Sequence, residues 1–73
     1  MNLLIVEDDV SIASGLKQAL QREGFAVNVV YKGNDALSTI DIQAPDLVIL
    51  DLGLPDMDGL SILKKIRKGH THL

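Results

Sequence analysis

The run Leu47-Val48-Ile49-Leu50, which meets a carboxylate at Asp51, constrains the fold more than any other stretch of the chain. Four consecutive apolar residues, two of them β-branched, read as a strand buried on both faces, the pattern of an interior parallel strand. The next residues, Leu52-Gly53-Leu54-Pro55-Asp56-Met57-Asp58-Gly59, carry turn chemistry: glycine, proline and Asp-x-Asp-Gly open a loop. An acid at the C-terminal tip of a central strand stands where open α/β sheets place their ligands.

The rest of the chain repeats a strand-then-helix rhythm. Leu3 to Val6 reads as a first buried strand and ends at Glu7-Asp8-Asp9, where Asp8 or Asp9 can cap a helix. Ile12, Ala13, Leu16, Ala19 and Leu20 follow at helical spacing, and Gly24 accepts the left-handed backbone that stops a helix. Phe25 to Tyr31 is rich in β-branched residues but interrupted by Asn28, which places this strand nearer the sheet edge, with Phe25 and Tyr31 as packing residues. Gly33-Asn34-Asp35 opens a second helix with Ala36, Leu37 and Ile40 inward, ended by Ala44-Pro45. Asp58-Gly59 begins a third, with Leu60, Leu63 and Ile66 inward, Ile62 flanking, and Lys64, Lys65, Arg67 and Lys68 crowding its end. Gly69 stops it, and His70-Thr71-His72-Leu73 forms a polar tail whose histidines read as solvated.

The order βαβαβα implies an α/β fold with a parallel sheet and right-handed crossovers. Flavodoxin-like winding gives the strand order 2-1-3, with the first and third strands adjacent. That adjacency brings Glu7, Asp8 and Asp51 into one pocket. Acids so close repel, and at least one pKa should rise unless a cation intervenes. Oxygen-only donors suit a hard divalent ion such as Mg²⁺, and a carboxylate can itself act as nucleophile and form an acyl phosphate. Strand-end acids directly before helices are commonly no more than caps, which is the reading for Asp9 and Asp58. Glu7, Asp8 and Asp51, converging from two strands, read instead as a metal and phosphoryl site with Asp51 as the nucleophile.

Composition narrows the remaining classes. Seventy-three residues bound this to one small domain, and 47% hydrophobic content argues for a globular one. The absence of cysteine excludes disulfides and thiolate zinc sites and is compatible with a cytoplasmic setting. A net charge of −3 makes direct nucleic-acid binding an unlooked-for property, since phosphate binding relies on a basic face. The opening residues lack a cationic leader, and no apolar run approaches the ~20 residues that span a bilayer, so no membrane partner is expected. No glycine-rich phosphate loop supports a nucleotide cofactor.

With these residues in view, Leu3-Leu4-Ile5-Val6-Glu7-Asp8-Asp9, Val48-Ile49-Leu50-Asp51-Leu52 and Leu54-Pro55-Asp56-Met57-Asp58-Gly59 together resemble the receiver domain of bacterial two-component response regulators. The run from Asp51 to Gly59 is similar to that of the winged-helix transcription-factor subfamily that includes PhoB and OmpR. The resemblance implies that Asp51 is the phosphoacceptor of a sensor histidine kinase. It implies Asp8 and Asp51 as direct Mg²⁺ ligands, Glu7 as a ligand through water, and the Gly53 carbonyl as a further ligand, with Pro55 and Met57 shaping the loop. It also implies fourth and fifth strand–helix units, with a hydroxyl residue and a lysine that read the phosphoryl group. Residues 1–73 supply neither, so they are expected to form the N-terminal part of a receiver, impaired in switching. The outer edge of strand 47–50 is then unpaired and expected to drive self-association. A Mg²⁺-dependent phosphatase with an aspartate nucleophile is the rival reading. Such enzymes usually place a second acid two residues on, where this chain has Gly53, so the expectation is a signalling module and not an enzyme. A self-associating half-domain without site chemistry is the third possibility.

Overall fold

Strand β1 (Asn2–Val6) is the spine of the molecule, and its four residues from Leu3 to Val6 are buried on both faces. The structure, a computed structural model, describes residues 1–51, 54, 56 and 59–69. Along the chain β1 is followed by α1 (Val10–Arg22), β2 (Ala26–Val30), α2 (Gly33–Ile42), β3 (Leu47–Leu50) and α3 (Gly59–Gly69). Among the described residues the sheet has the order β2-β1-β3, with both pairings parallel, as the winding of the sequence requires. Val6 stands opposite Val30 on one side and Leu50 on the other, so all three strands end together.

Period-two alternation sorts β1 into two cores. Leu4 and Val6 face Ala36 and Ile40 of α2, Ile62 of α3, and Leu54 from the segment after β3. Leu3 and Ile5 join Val27 on the opposite face, with Leu20 of α1 and Phe25 packed against them. Thus α1 covers one face, and α2 with α3 the other.

Local chemistry ends α1 at both termini. Asp9 is the N-cap, its Oδ1 accepting from the Ile12 amide at 3.1 Å. At the other end Gly24 has φ +92°, the amide of Gly24 donates to the Gln21 carbonyl at 3.0 Å, and that of Phe25 to the Leu20 carbonyl at 3.2 Å. This pair of bonds is a Schellman closure, and it seats Phe25 beside Leu20.

Four expectations are corrected. The run Leu47–Leu50 is not buried on both faces: Leu47 is 51% exposed and the other three are half-buried, because β3 pairs only with β1 among the described residues. The apolar stripe of α1 is buried only at Ala13 and half-buried at Leu20, while Ile12, Leu16 and Ala19 are exposed. That helix lies chiefly over β2 and less over β1. In α3 the expected inward residues Leu60 and Leu63 are exposed, at 54% for Leu60, whereas Ile62 is 0% exposed. Helix α3 packs chiefly on α2, which turns the Ile62 position toward the core. Tyr31, just beyond the end of an edge strand, is exposed instead of packed.

Candidate metal centre

The ends of two sheet ladders set the site. The Glu7 amide continues the β1–β2 ladder by donating to the Val30 carbonyl at 3.1 Å. The Asp51 amide continues the β1–β3 ladder by donating to the Val6 carbonyl at 2.9 Å. Both backbones are therefore fixed one residue past the last paired position, at the C-terminal edge where open parallel sheets bind ligands. Because Asp9 takes the cap of α1, Asp8 is left to the site.

Glu7, Asp8 and Asp51 each present a carboxylate oxygen within 4.8 Å of the other two. Glu7 and Asp51 are half-buried and Asp8 is exposed, so the cluster opens to solvent on one side. The Asp9 amide donates to Glu7 Oε1 at 3.0 Å. This bond, the strongest single influence on Glu7, pulls its pKa down. Desolvation and the neighbouring carboxylates of Asp8 and Asp51 push it up and together prevail, leaving Glu7 above the ordinary glutamate value of 4.5. Like charges have been gathered, and their mutual repulsion is the electrostatic condition a divalent ion relieves. Its donors fit such an ion: all are oxygen, and Mg²⁺ commonly takes one or two carboxylates and completes its shell with water.

Three of the four ligand positions expected from the sequence are thus brought together. Gly53, the fourth, lies outside the described residues, as do Pro55, Met57, Asp58 and the histidines at positions 70 and 72. Lys64 and Lys65 are exposed on α3, in keeping with a solvated helix end.

Sequence reasoning missed one residue beside the site. Asp56, read only as part of a turn, accepts from the Gly33 amide at 2.8 Å through Oδ1 and from the Asn34 amide at 3.1 Å through Oδ2. It thereby caps α2 from 22 to 23 residues away. Those two amides, helped by its own backbone amide and least by the Lys32 ammonium, hold its carboxyl below the ordinary aspartate value of 3.8. A signal was present: the N-cap position of α2 is Lys32, which has no acceptor and makes no capping bond. The first amides of a helix need partners, so one had to come from elsewhere.

Residues 3–73 match the response regulator receiver domain family. The chain is 47% identical over 70 residues to the transcriptional regulatory protein PmrA of Pectobacterium parmentieri, covering 96% of this chain and 32% of that one. It is 43% identical over 68 residues to the regulatory protein VanRc of Enterococcus gallinarum, covering 93% and 29% respectively. The crystal structure of response regulator protein TrrA from Thermotoga maritima, in complex with Mg²⁺ and BeF, superposes with a TM-score of 0.92 at 36% identity, covering 96% of this chain and 61% of TrrA. The chain therefore spans less than a third of each of these two curated relatives, at 32% and 29%. No helix among the described residues is long and apolar enough to cross a membrane. Strand order, the acidic cluster at the strand tips and the match over residues 3–73 agree, and the chain belongs to the response regulator receiver domain family.

Proposed function

We propose that residues 1–73 form the first three strand–helix units of a receiver that passes a kinase signal to a transcription factor, with Asp51 as its phosphoacceptor. The observation that carries this is the convergence of Glu7, Asp8 and Asp51 from the ends of two adjacent strands. Phosphoryl transfer from a sensor histidine kinase breaks the phosphorus–nitrogen bond of its phosphohistidine and forms a phosphorus–oxygen bond at the Asp51 carboxylate. The imidazole leaves and the acceptor becomes an acyl phosphate. Asp8 and Asp51 would hold Mg²⁺ directly and Glu7 through water, and the resemblance adds the Gly53 carbonyl as a further ligand. An ion held there would offset the charge that develops on the phosphoryl oxygens. The winged-helix subfamily is the best fit to the run from Asp51 to Gly59, and PmrA, a transcriptional regulatory protein, supports it at 47% identity. The outer edge of β3 is proposed as a self-association surface, supported by its lack of a strand partner among the described residues.

Paramagnetic broadening by Mn²⁺, followed in the amide NMR spectrum, tests the site. Glu7, Asp8 and Asp51 should broaden first, and Mg²⁺ should compete the effect away. Treatment with acetyl phosphate and Mg²⁺ should place any phosphoryl adduct on Asp51, and Asp51→Asn should carry none. Broadening centred elsewhere, or an adduct that survives Asp51→Asn, would falsify the assignment.

A further inference from the structure

The segment from Asp51 to Gly59 is held at two described points. Leu54 is 8% exposed and lies in the core with Leu4, Val6, Ala36, Ile40 and Ile62. Two residues later the Asp56 carboxylate grips the first two amides of α2, those of Gly33 and Asn34. Together with the ladder ends, this grip closes a ring. Glu7 is tied to Val30 by a hydrogen bond, Val30 leads by chain to Gly33, and Gly33 is tied to Asp56. Asp56 leads back by chain to Asp51, which is tied to Val6, the residue before Glu7. Two of the three clustered acids ride on this ring, and only Asp56 closes it through a side chain.

We propose that Asp56 is a positioning residue for the acidic site: by locking the segment after Asp51 to the N-terminus of α2, it fixes the separation of Asp51 from Glu7. This rests on the metal-site reading above and adds a residue that touches neither ion nor phosphoryl group. A ligand cluster held by one closed ring needs little rearrangement to accept an ion, while an opened ring must order itself on binding. Asp46 offers an internal control. It makes a similar grip at the opposite end of the sheet, its Oδ2 accepting from the Asn2 amide at 2.7 Å and its own amide donating to the Asn2 carbonyl at 2.8 Å.

The test compares Asp56→Ala, Asp56→Asn, Asp46→Ala and Asp51→Asn in the full 73-residue chain. Two quantities are read: Mn²⁺ affinity, and amide hydrogen exchange at Glu7 and Asp51 without any ion. Asp56→Ala should weaken Mn²⁺ binding by about tenfold, the scale of lost supporting contacts, and speed exchange at both amides. Asp56→Asn, which keeps one acceptor oxygen, should fall between it and the parent, and it decides the matter should the alanine variant not fold. Asp46→Ala should lower thermal stability yet leave Mn²⁺ affinity unchanged. Parent-like affinity and exchange in both Asp56 variants overturn the proposal, as does an equal loss of affinity in Asp46→Ala, which would reduce Asp56 to general stability. Unchanged Mn²⁺ binding in Asp51→Asn defeats the metal-site reading itself, and this inference with it.

Discussion

The amide of Asp51 donates to the carbonyl of Val6 at 2.9 Å, and that bond ties together the two strand tips from which the acidic site is built. Val6 is also the register partner of Leu50, so Glu7 and Asp51 leave the sheet as neighbours on adjacent strands. Strands in a sheet lie about 4.8 Å apart, a spacing that one ion with water ligands bridges easily. Parallel pairing thus brings the two strand tips together, and the placement of the carboxylates beyond them is left to the segments that follow Val6 and Leu50.

The first prediction concerns the acceptor. Mg²⁺ that binds only the folded chain should raise its thermal midpoint, with a stabilisation of about 2.7 kcal/mol at a hundredfold excess over Kd. Asp51→Asn removes one charged donor and should abolish most of that rise while leaving the ion-free fold intact. Thermal melts with and without Mg²⁺ measure both effects. An equal Mg²⁺-induced rise in the two proteins would move the ion away from Asp51.

Glu7 gives a prediction of opposite sign. The Asp9 amide lowers its pKa, but desolvation and the carboxylates of Asp8 and Asp51 outweigh that bond and raise it above 4.5. An acid whose pKa is raised by folding contributes most below its unfolded value and progressively less as pH rises through the folded one. At neutral pH the ion-free chain therefore carries a strained cluster of like charges. Glu7→Gln should raise the thermal midpoint without ion and reduce the further gain from Mg²⁺. A lower midpoint in the variant at neutral pH and low salt would show that the Asp9 bond dominates after all.

What could be read from the sequence follows from how local each signal is. Asp9, Gly24 and the apolar run from Leu3 to Val6 act on their own neighbours, and their roles were legible. The strand order was legible because crossovers leave few choices, and the pairing of Glu7 with Asp51 followed from it. The open outer edge of β3 was expected, but the partial exposure of its side chains was not, because a continuous apolar run looks the same whether one or both of its edges are paired. Asp56 was missed for a related reason: its partners, Gly33 and Asn34, are remote in sequence, and an aspartate in a turn already has a sufficient local explanation.

Helix α3 shows how far packing outweighs periodicity, and a pair of substitutions measures it. Ile62 is fully buried among Leu4, Val6, Ala36, Ile40 and Leu54, whereas Leu60 is largely exposed. Ile62→Ala should destabilise the fold by about 2–5 kcal/mol through lost transfer energy and a residual cavity. Leu60→Ala should change stability by roughly 0.5 kcal/mol or less. Urea unfolding of the two variants separates these cases, and equal costs would mean that the sequence periodicity was the better guide.

The outer edge of β3 has no strand partner among the described residues, and Leu47 at its start is half-exposed. Apolar edges with open backbone donors and acceptors recruit another strand, and charged side chains discourage them. The 73-residue chain should sediment as concentration-dependent oligomers at micromolar levels, and Leu47→Lys should shift it toward monomer. A folded monomer at every concentration would remove this edge as an interface.

Acid titration isolates the contribution of Asp56. Its carboxyl lies below the ordinary value of 3.8 chiefly because the Gly33 and Asn34 amides favour the ionised form. A depressed carboxylate contributes stability that is complete above the unfolded pKa and is lost as pH falls through the folded one. Asp56→Asn should therefore melt below the parent at neutral pH, and the gap should close as pH drops through 3.8 and further. Whatever the two proteins share cancels in the comparison, so the difference between the two melting curves reports Asp56 alone. A gap that stays constant down to the acid limit would mean that the Asp56 charge is immaterial and that its grip on α2 depends only on shape and neutral hydrogen bonds.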